Sequence, residues 1–226
     1  MVSKRPGKSY EQYCTIATAL DLVGDRWTLL VLRELSMGEA RFTDLKAGLP
    51  GIATNLLTER LRGLEDAGLI EQHELPAPAA RTVYRLTRDG VRIRPVLRAI
   101  AQFGMPYLEA PVGAIRPRAA VFGGSAALFD PVGAIGADLR IRYLIDGEEH
   151  WIEVVDGRLR RADTTLPPAL TITGTAAGLF GLDRGARPED LDGELRVEGT
   201  DAAWDLFRRC FPPSVLALES QGADAR

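Results

Sequence analysis

A helix-like pattern over residues 54–67 is cut off at Gly68 and followed by two strand-like runs that a proline-rich segment holds apart, and this constrains the chain more than any other feature. At about 100° per residue, Leu56, Leu57, Leu61 and Leu64 share one face, and Asn55, Thr58, Glu59 and Arg62 share the other. Gly68 suits the left-handed position after a helix, with Leu69 placed to touch Leu64 across the stop. The runs Leu69 to Leu75 and Thr82 to Leu86 flank Pro76-Ala77-Pro78-Ala79-Ala80-Arg81. Proline cannot continue a ladder, so the pattern predicts a hairpin with a protruding tip.

The preceding residues supply more helices. Ser9 and Gln12 stand in capping-box spacing before a helix that ends at Gly24. Asp25 is placed to cap a second helix, whose Leu29, Leu30, Leu32 and Leu35 fill one face before Gly38. After an extended piece around Arg41-Phe42, Thr43 is placed to cap a short helix, and Gly48-Leu49-Pro50-Gly51 forces a tight turn. Helix, turn, helix and hairpin together predict an N-terminal winged helix-turn-helix, mainly α with a β-hairpin wing. From Thr87 a further helix is expected to about Leu108, with Pro95 near its start. Its stripe Ile93, Val96, Leu97, Ile100, Phe103 and Tyr107 either covers the monomer core or builds a dimer seam. Because a winged helix already has a core, the seam is the stronger reading, with Tyr10, Tyr13, Ile93, Leu97, Ile100 and Phe103 as its residues.

The segments ALDLVGDRWTLLVLREL, RFTDLKAGLPGI, LTERLRGLEDAGLI and YRLTRDG, in that order, resemble the successive motifs of HxlR-type winged-helix transcriptional regulators, relatives of the MarR group. The resemblance covers about residues 13–104. It implies a DNA-binding homodimer, and two recognition helices would then read half-sites about one DNA turn apart in an inverted repeat.

The residue types suit that role. A helix N-terminus with short polar side chains can enter the major groove and offer donors to bases and phosphates. Thr54, Asn55, Thr58 and Arg62 are the candidates. Asn55, the only Asn in the chain, can bond the N6/N7 edge of adenine, and Arg62 suits phosphate or guanine. A merely solvated face would carry the same residues, but the hairpin beside it favours groove contact. Arg60 points between Leu56 and Leu64, where a structural ion pair is as good a reading as a DNA contact. Arg41 and Thr43 before the turn, and Arg81 and Thr82 at the hairpin tip, are placed to hold phosphates or enter the minor groove. In one departure, Ala53 stands where relatives often carry a capping Ser, with Thr54 as the available substitute.

The Pro/Gly segment around 111–118 reads as a linker, giving domains at 1–110 and 119–213 and a flexible tail at 214–226. In the second domain Leu139, Ile141, Tyr143 and Ile145 alternate with polar residues. Asp146-Gly147 and Asp156-Gly157 turn the chain into strands at His150 to Val155 and Arg158 to Ala162. Further strands are expected at Leu170 to Thr173 and Glu194 to Val197, with helices at about 174–181 and 201–211, the last capped by Thr200 or Asp201. The class is α+β. The stretches LRIRYLIDGEEHWIEVVDGRL, PALTITGTAAGLFGL and DGELRVEGTDAAWDLFRRCF resemble the sterol carrier protein type two fold. That resemblance implies an apolar tunnel under helices, with Phe129, Trp151, Phe180, Leu182, Trp204 and Phe207 as wall candidates, although for any single one of them plain core is the leading reading.

Composition narrows the function classes. The net charge of −3 divides unevenly: residues 1–110 carry 15 Lys+Arg against 13 Asp+Glu, and residues 111–226 carry 13 against 18. DNA contact must therefore come from placed residues in the first half and not from bulk charge. No apolar run reaches membrane-span length and the start lacks a signal-peptide stretch, so a cytoplasmic protein without membrane association is expected. Two Cys and two His in unrelated settings form no metal spacing, and no phosphate loop, nucleophile elbow or dinucleotide fingerprint occurs. No enzyme, metal or cofactor is expected. The HxlR resemblance marks Cys14 as a position where some such regulators sense oxidants or electrophiles. Cys14 lies beyond the first turn after Ser9, with Glu11 nearby, and itself reads as a buried, inert thiol. Cys210 reads as core. The resulting reading is a dimeric repressor whose C-terminal domain senses an apolar small molecule. The alternative keeps the winged helix, makes the second domain a lipid carrier or spacer, and places redox control at Cys14.

Overall fold

The computed structural model describes residues 9–76, 81–104, 107, 116–162 and 165–213, and divides into two units, Met1–Leu97 and Arg98–Arg226. The N-terminal unit contains α1 (Thr15–Val23), α2 (Thr28–Ser36), α3 (Phe42–Gly48), α4 (Thr54–Asp66) and the antiparallel pair β1 (Ile70–Leu75) and β2 (Arg81–Leu86). A 3-10 turn, Gly90–Arg92, leads into α5 (Ile93–Gly104), the helix within which the two units divide. Leucines at helical spacing build the core of this unit: Leu32 and Leu35 of α2, Leu45 of α3, and Leu57, Leu61 and Leu64 of α4 are all nearly inaccessible, with Ile70 of β1 beneath them. Burying each such side chain contributes roughly 1.5–3 kcal/mol, which outweighs the modest helix propensity of these short segments.

Two junctions aim α4. Leu49 and Ile52 are both buried, Ile52 N donates to Leu49 O, and Gly51 between them takes φ +87°, a conformation glycine adopts without strain. The turn between α3 and α4 is thus pinned at both ends. After α4, Leu69 N donates to Leu64 O and Gly68 N to Glu65 O, with Gly68 at φ +69°. This is the predicted Schellman stop, and it turns the chain directly into the hairpin. Ala40 exchanges two backbone hydrogen bonds with Tyr84, tying the segment before α3 to β2.

Several helix starts differ from the sequence reading. Ser9 caps no helix: its hydroxyl donates to Asp21, and α1 begins at Thr15 with Cys14 as N-cap. Trp27, not Asp25, occupies the N-cap of α2, and Asp25 turns its carboxylate to Arg60 at 3.4 Å. Arg41, not Thr43, is the N-cap of α3, its N–H donating to Asp44. Thr87 lies outside α5, its hydroxyl accepting from Gly90 N and donating to Gly68 O. Ser9, Asp25 and Thr87 have each turned their side chains to a partner away from the expected helix start: a carboxylate, a guanidinium and a carbonyl respectively.

The C-terminal unit is α+β. It contains α6 (Pro117–Leu128), β3 (Asp138–Ile145), β4 (Glu148–Val155), β5 (Arg158–Arg161), β6 (Leu170–Gly174), α7 (Ala176–Asp183), β7 (Leu195–Gly199) and α8 (Asp201–Cys210). The sheet order is β5-β4-β3-β6-β7; β3 and β6 run parallel and every other pair antiparallel, so the predicted meander continues as a mixed sheet. Leu139, Ile141, Tyr143 and Ile145 are buried on one face. The opposite face carries ion pairs, Arg140 to Glu153 at 2.8 Å and Arg142 to Glu149 at 3.2 Å. Thr200 caps α8 by accepting from Ala203 N, and Thr175 caps α7 from Gly178 N. Helix α6 was absent from the sequence reading: Pro117 and Arg118, assigned to the linker, form its first turn, where Pro suits N1. Residues 111–115, the hairpin tip 77–80 and the tail 214–226 lie outside the described residues.

Candidate functional site

The polar side of α4 is open along its length. Thr54, Asn55, Thr58, Glu59 and Arg62 are exposed, while Leu57, Arg60, Leu61 and Leu64 face inward. Ala53 is the N-cap and supplies no side-chain bond, so the first amides of α4 carry no cap from it. Thr58 donates to the Thr54 carbonyl at 3.0 Å, which fixes its hydroxyl against the helix and leaves its lone pairs outward. Arg60 is buried, with Nε on Arg26 O and Nη1 at 2.9 Å from Glu59 and 3.4 Å from Asp25. It is a structural residue that ties α4 to the segment before α2, the ion-pair alternative of the sequence reading. Arg41 and Thr43 are exposed at the start of α3, on the other side of the turn, with Arg41 Nε 4.0 Å from Asp44.

The hairpin offers less than its sequence promised. Arg81 and Thr82 open β2, paired with Leu75 and Glu74 across the ladder. The Thr82 hydroxyl donates to Glu74, so it is engaged inside the hairpin and not presented to a phosphate. Arg85 is likewise held by Glu71 at 2.7 Å. Arg81, at the first position of β2, is half-buried.

Residues 22–111 match the HxlR-like helix-turn-helix family. Over 96 residues the chain is 43% identical to an uncharacterized HTH-type transcriptional regulator from Synechocystis, spanning 42% of this chain and 71% of that protein. The chain belongs to the HxlR-like family. An HTH-type regulator from Methanothermobacter thermautotrophicus is 35% identical over 97 residues, 43% of this chain and 74% of that protein. The reduced form of the regulator YodB from Bacillus subtilis is a solved structure with 28% identity, covering 43% of this chain and 97% of that one, at TM-score 0.38. As an HxlR-like protein, the chain is a DNA-binding transcriptional regulator with a winged helix at its N-terminus. No helix among the described residues is long and apolar enough to cross a membrane. The family match ends at residue 111, before α6 and the five-stranded sheet.

Two further sets of sequence candidates are split by the structure. In the seam set, Tyr10, Tyr13, Ile100 and Phe103 are exposed, together with Ile16, Leu20 and Val96. Ile93 and Leu97 instead are partly buried against the N-terminal core, so that side of the α5 stripe is taken up within the unit. In the wall set, Leu182, Trp204 and Phe207 line one cleft of about 270 Å³ with Phe211, Trp204 stacking on Phe207 at 5.1 Å. Trp151 is on the polar face of the sheet, where it donates to Glu149 and lies under Arg142, and so lines no helix-covered cavity. Its register opposite Arg142 fixes that side, because strand side chains alternate. Phe129 packs on Phe211 at 5.7 Å and Phe180 lies under Arg184 at 5.4 Å; neither lines the cleft.

The sequence reading missed Asp183. Its carboxyl lies inside the C-terminal unit beside Tyr143 and Ser125 in a small cavity of about 20 Å³, and burial pushes its pKa up to about 8. The available signal was an acid four residues after buried Leu179 on a short apolar helix. Cys14 is exposed, contrary to the buried thiol expected: with α1 starting at Thr15, its side chain precedes the helix and takes no place on the buried face. Cys210 is buried as expected, and desolvation raises its thiol pKa.

Proposed function

We propose that this HxlR-like regulator is a homodimeric repressor that reads an inverted-repeat operator through the exposed side of α4, and that its C-terminal unit binds an apolar effector. The observation that carries the reading is the undivided polar face Thr54, Asn55, Thr58 and Arg62 at the free end of α4, held rigid by buried leucines on its other side. Asn55 reads a base edge, and Arg62, Arg41 and Arg81 hold phosphates. Exposed Tyr10 and Tyr13, in the segment before α1, and exposed Ile100 and Phe103, on α5, supply the seam, since large apolar side chains left open favour a partner surface. The sterol-carrier-like reading of the second unit is supported by its one-sided helical cover and by the cleft of Leu182, Trp204, Phe207 and Phe211. An effector acts only if its affinity differs between DNA-competent and DNA-incompetent states.

Native mass spectrometry of the full chain, with and without duplex, tests this directly. Two chains per duplex, together with a co-purified apolar compound whose addition changes operator affinity, are expected. One chain per duplex contradicts the dimer, and unchanged operator affinity removes the sensing role.

A second reading places control at Cys14, favoured by its exposure at the N-cap of α1. Cys14→Ser then abolishes any response of DNA binding to oxidant. A retained response rejects it.

A further inference from the structure

We propose that the C-terminal unit selects an uncharged apolar molecule by a hydrogen-bond-accepting oxygen, a ketone carbonyl in the simplest case, which takes the protons of Asp183 and Tyr143 behind the Leu182–Phe207–Phe211 wall. This rests on the ligand-binding reading above and specifies its chemistry.

The polar cavity and the apolar cleft are neighbours. Leu182, Phe207 and Phe211 line both, so three side chains stand between the 270 Å³ cleft and the small cavity that holds Asp183, Tyr143 and Ser125. The small cavity has room for about one water, the volume of a single oxygen-bearing end. Helix α6 passes directly over the carboxyl: a Cβ at Gly124 would stand 2.2 Å from Asp183 Oδ2.

The charge in the pocket decides what it recognises. Its other walls include Val121, Leu128 and Leu179, and none of the described lining residues is cationic. An unpaired carboxylate in such surroundings is costly, so the group takes a proton and becomes a donor. Burial alone accounts for the raised pKa of Asp183, and it raises that of Tyr143 as well. Ser125 bonds the Tyr143 hydroxyl. Among the described residues, Tyr143, from β3, is the only other titratable side chain lining the cavity; α6 contributes Ser125 and α8 contributes Phe207. Charges line the cleft instead: Arg208, and Arg187 at 3.8 Å from Glu189, while Arg184 lies over Phe180. An ammonium head would have to pass these guanidiniums, whereas a carbonyl pays no such cost.

The test uses the full chain and three naphthalene probes of one shape: 2-acetylnaphthalene, the hydrocarbon 2-isopropenylnaphthalene and the amine 1-(2-naphthyl)ethylamine, titrated calorimetrically. At about pH 6.5 the ketone binds roughly ten-fold tighter than either other probe. Its advantage falls as pH passes about 8, where Asp183 ionises and turns from donor to acceptor. Asp183→Asn keeps an N–H donor and holds the ketone preference on both sides of that pH, and Tyr143→Phe reduces it. Equal binding of ketone and hydrocarbon, or tightest binding of the amine, overturns the proposal while leaving the ligand pocket standing. Failure of all three probes removes the pocket reading and the proposal with it. The wild-type comparison needs no substitution, so a misfolded variant does not blunt the test.

Discussion

Asn55 and Arg62 stand two turns apart on one exposed face yet make different predictions. A base reader discriminates among sequences. Asn55→Ala therefore relaxes preference at one position per half-site, costing about 1–3 kcal/mol on the preferred duplex and little on others. A phosphate holder does not discriminate. Arg62→Ala weakens all duplexes alike and lowers the slope of log affinity against log salt by about 1, measured by fluorescence anisotropy across a salt series. Equal loss on every sequence for Asn55→Ala contradicts its reading role. Asp183 makes a prediction about stability. Its carboxyl holds a proton in the fold up to about pH 8, against an ordinary value of 3.8, so the folded state binds more protons between those limits. Its stabilising contribution is complete below about pH 4 and is lost as pH rises toward 8. Denaturant unfolding at stepped pH is expected to show the wild type losing stability relative to Asp183→Asn over this window; parallel curves contradict the buried acid. Residue roles that follow from periodicity were legible in the sequence, as the two faces of α4 and the inward turn of Arg60 show. Asp183 was not, because its chemistry comes from α6 and β3, distant in the chain.

At the scale of elements, α4 is rigid because both of its ends are fixed by backbone geometry and its inner side by leucines. Leu61 is 2% exposed in the middle of that packing, and Leu61→Ala is expected to cost about 2–5 kcal/mol in denaturant unfolding. A loss below 1 kcal/mol would show that α4 is not held as described. The helix stops and the hairpin were legible because Gly68, Gly51 and the proline segment act locally. The helix starts were not. Ser9, Asp25 and Thr43 all have capping chemistry, but Asp21, Arg60 and Asp44 shift where the chain turns, and sequence spacing cannot weigh such competitors. Helix α6 escaped notice for a related reason: its Ala, Gly and Ser residues give little periodic contrast, and its opening Arg-Pro reads equally as linker.

For the whole molecule, the division of labour follows the division of charge. The half carrying the winged helix is slightly basic and the α+β half acidic, so DNA is expected to contact the first and avoid the second. Dimerisation through the exposed apolar residues predicts that Phe103→Glu gives a monomer in sedimentation velocity and lowers operator affinity, while the same change at buried positions unfolds the unit. An unaltered dimer would move the seam elsewhere. Selection of random duplexes by the full-length protein, run in parallel for wild type and Asn55→Ala, tests the central claim most directly. The account predicts an inverted repeat with half-site centres about one helical turn apart, losing information at one position in each half in the variant. A single unrepeated site, or a wild-type motif unchanged by the substitution, would contradict it.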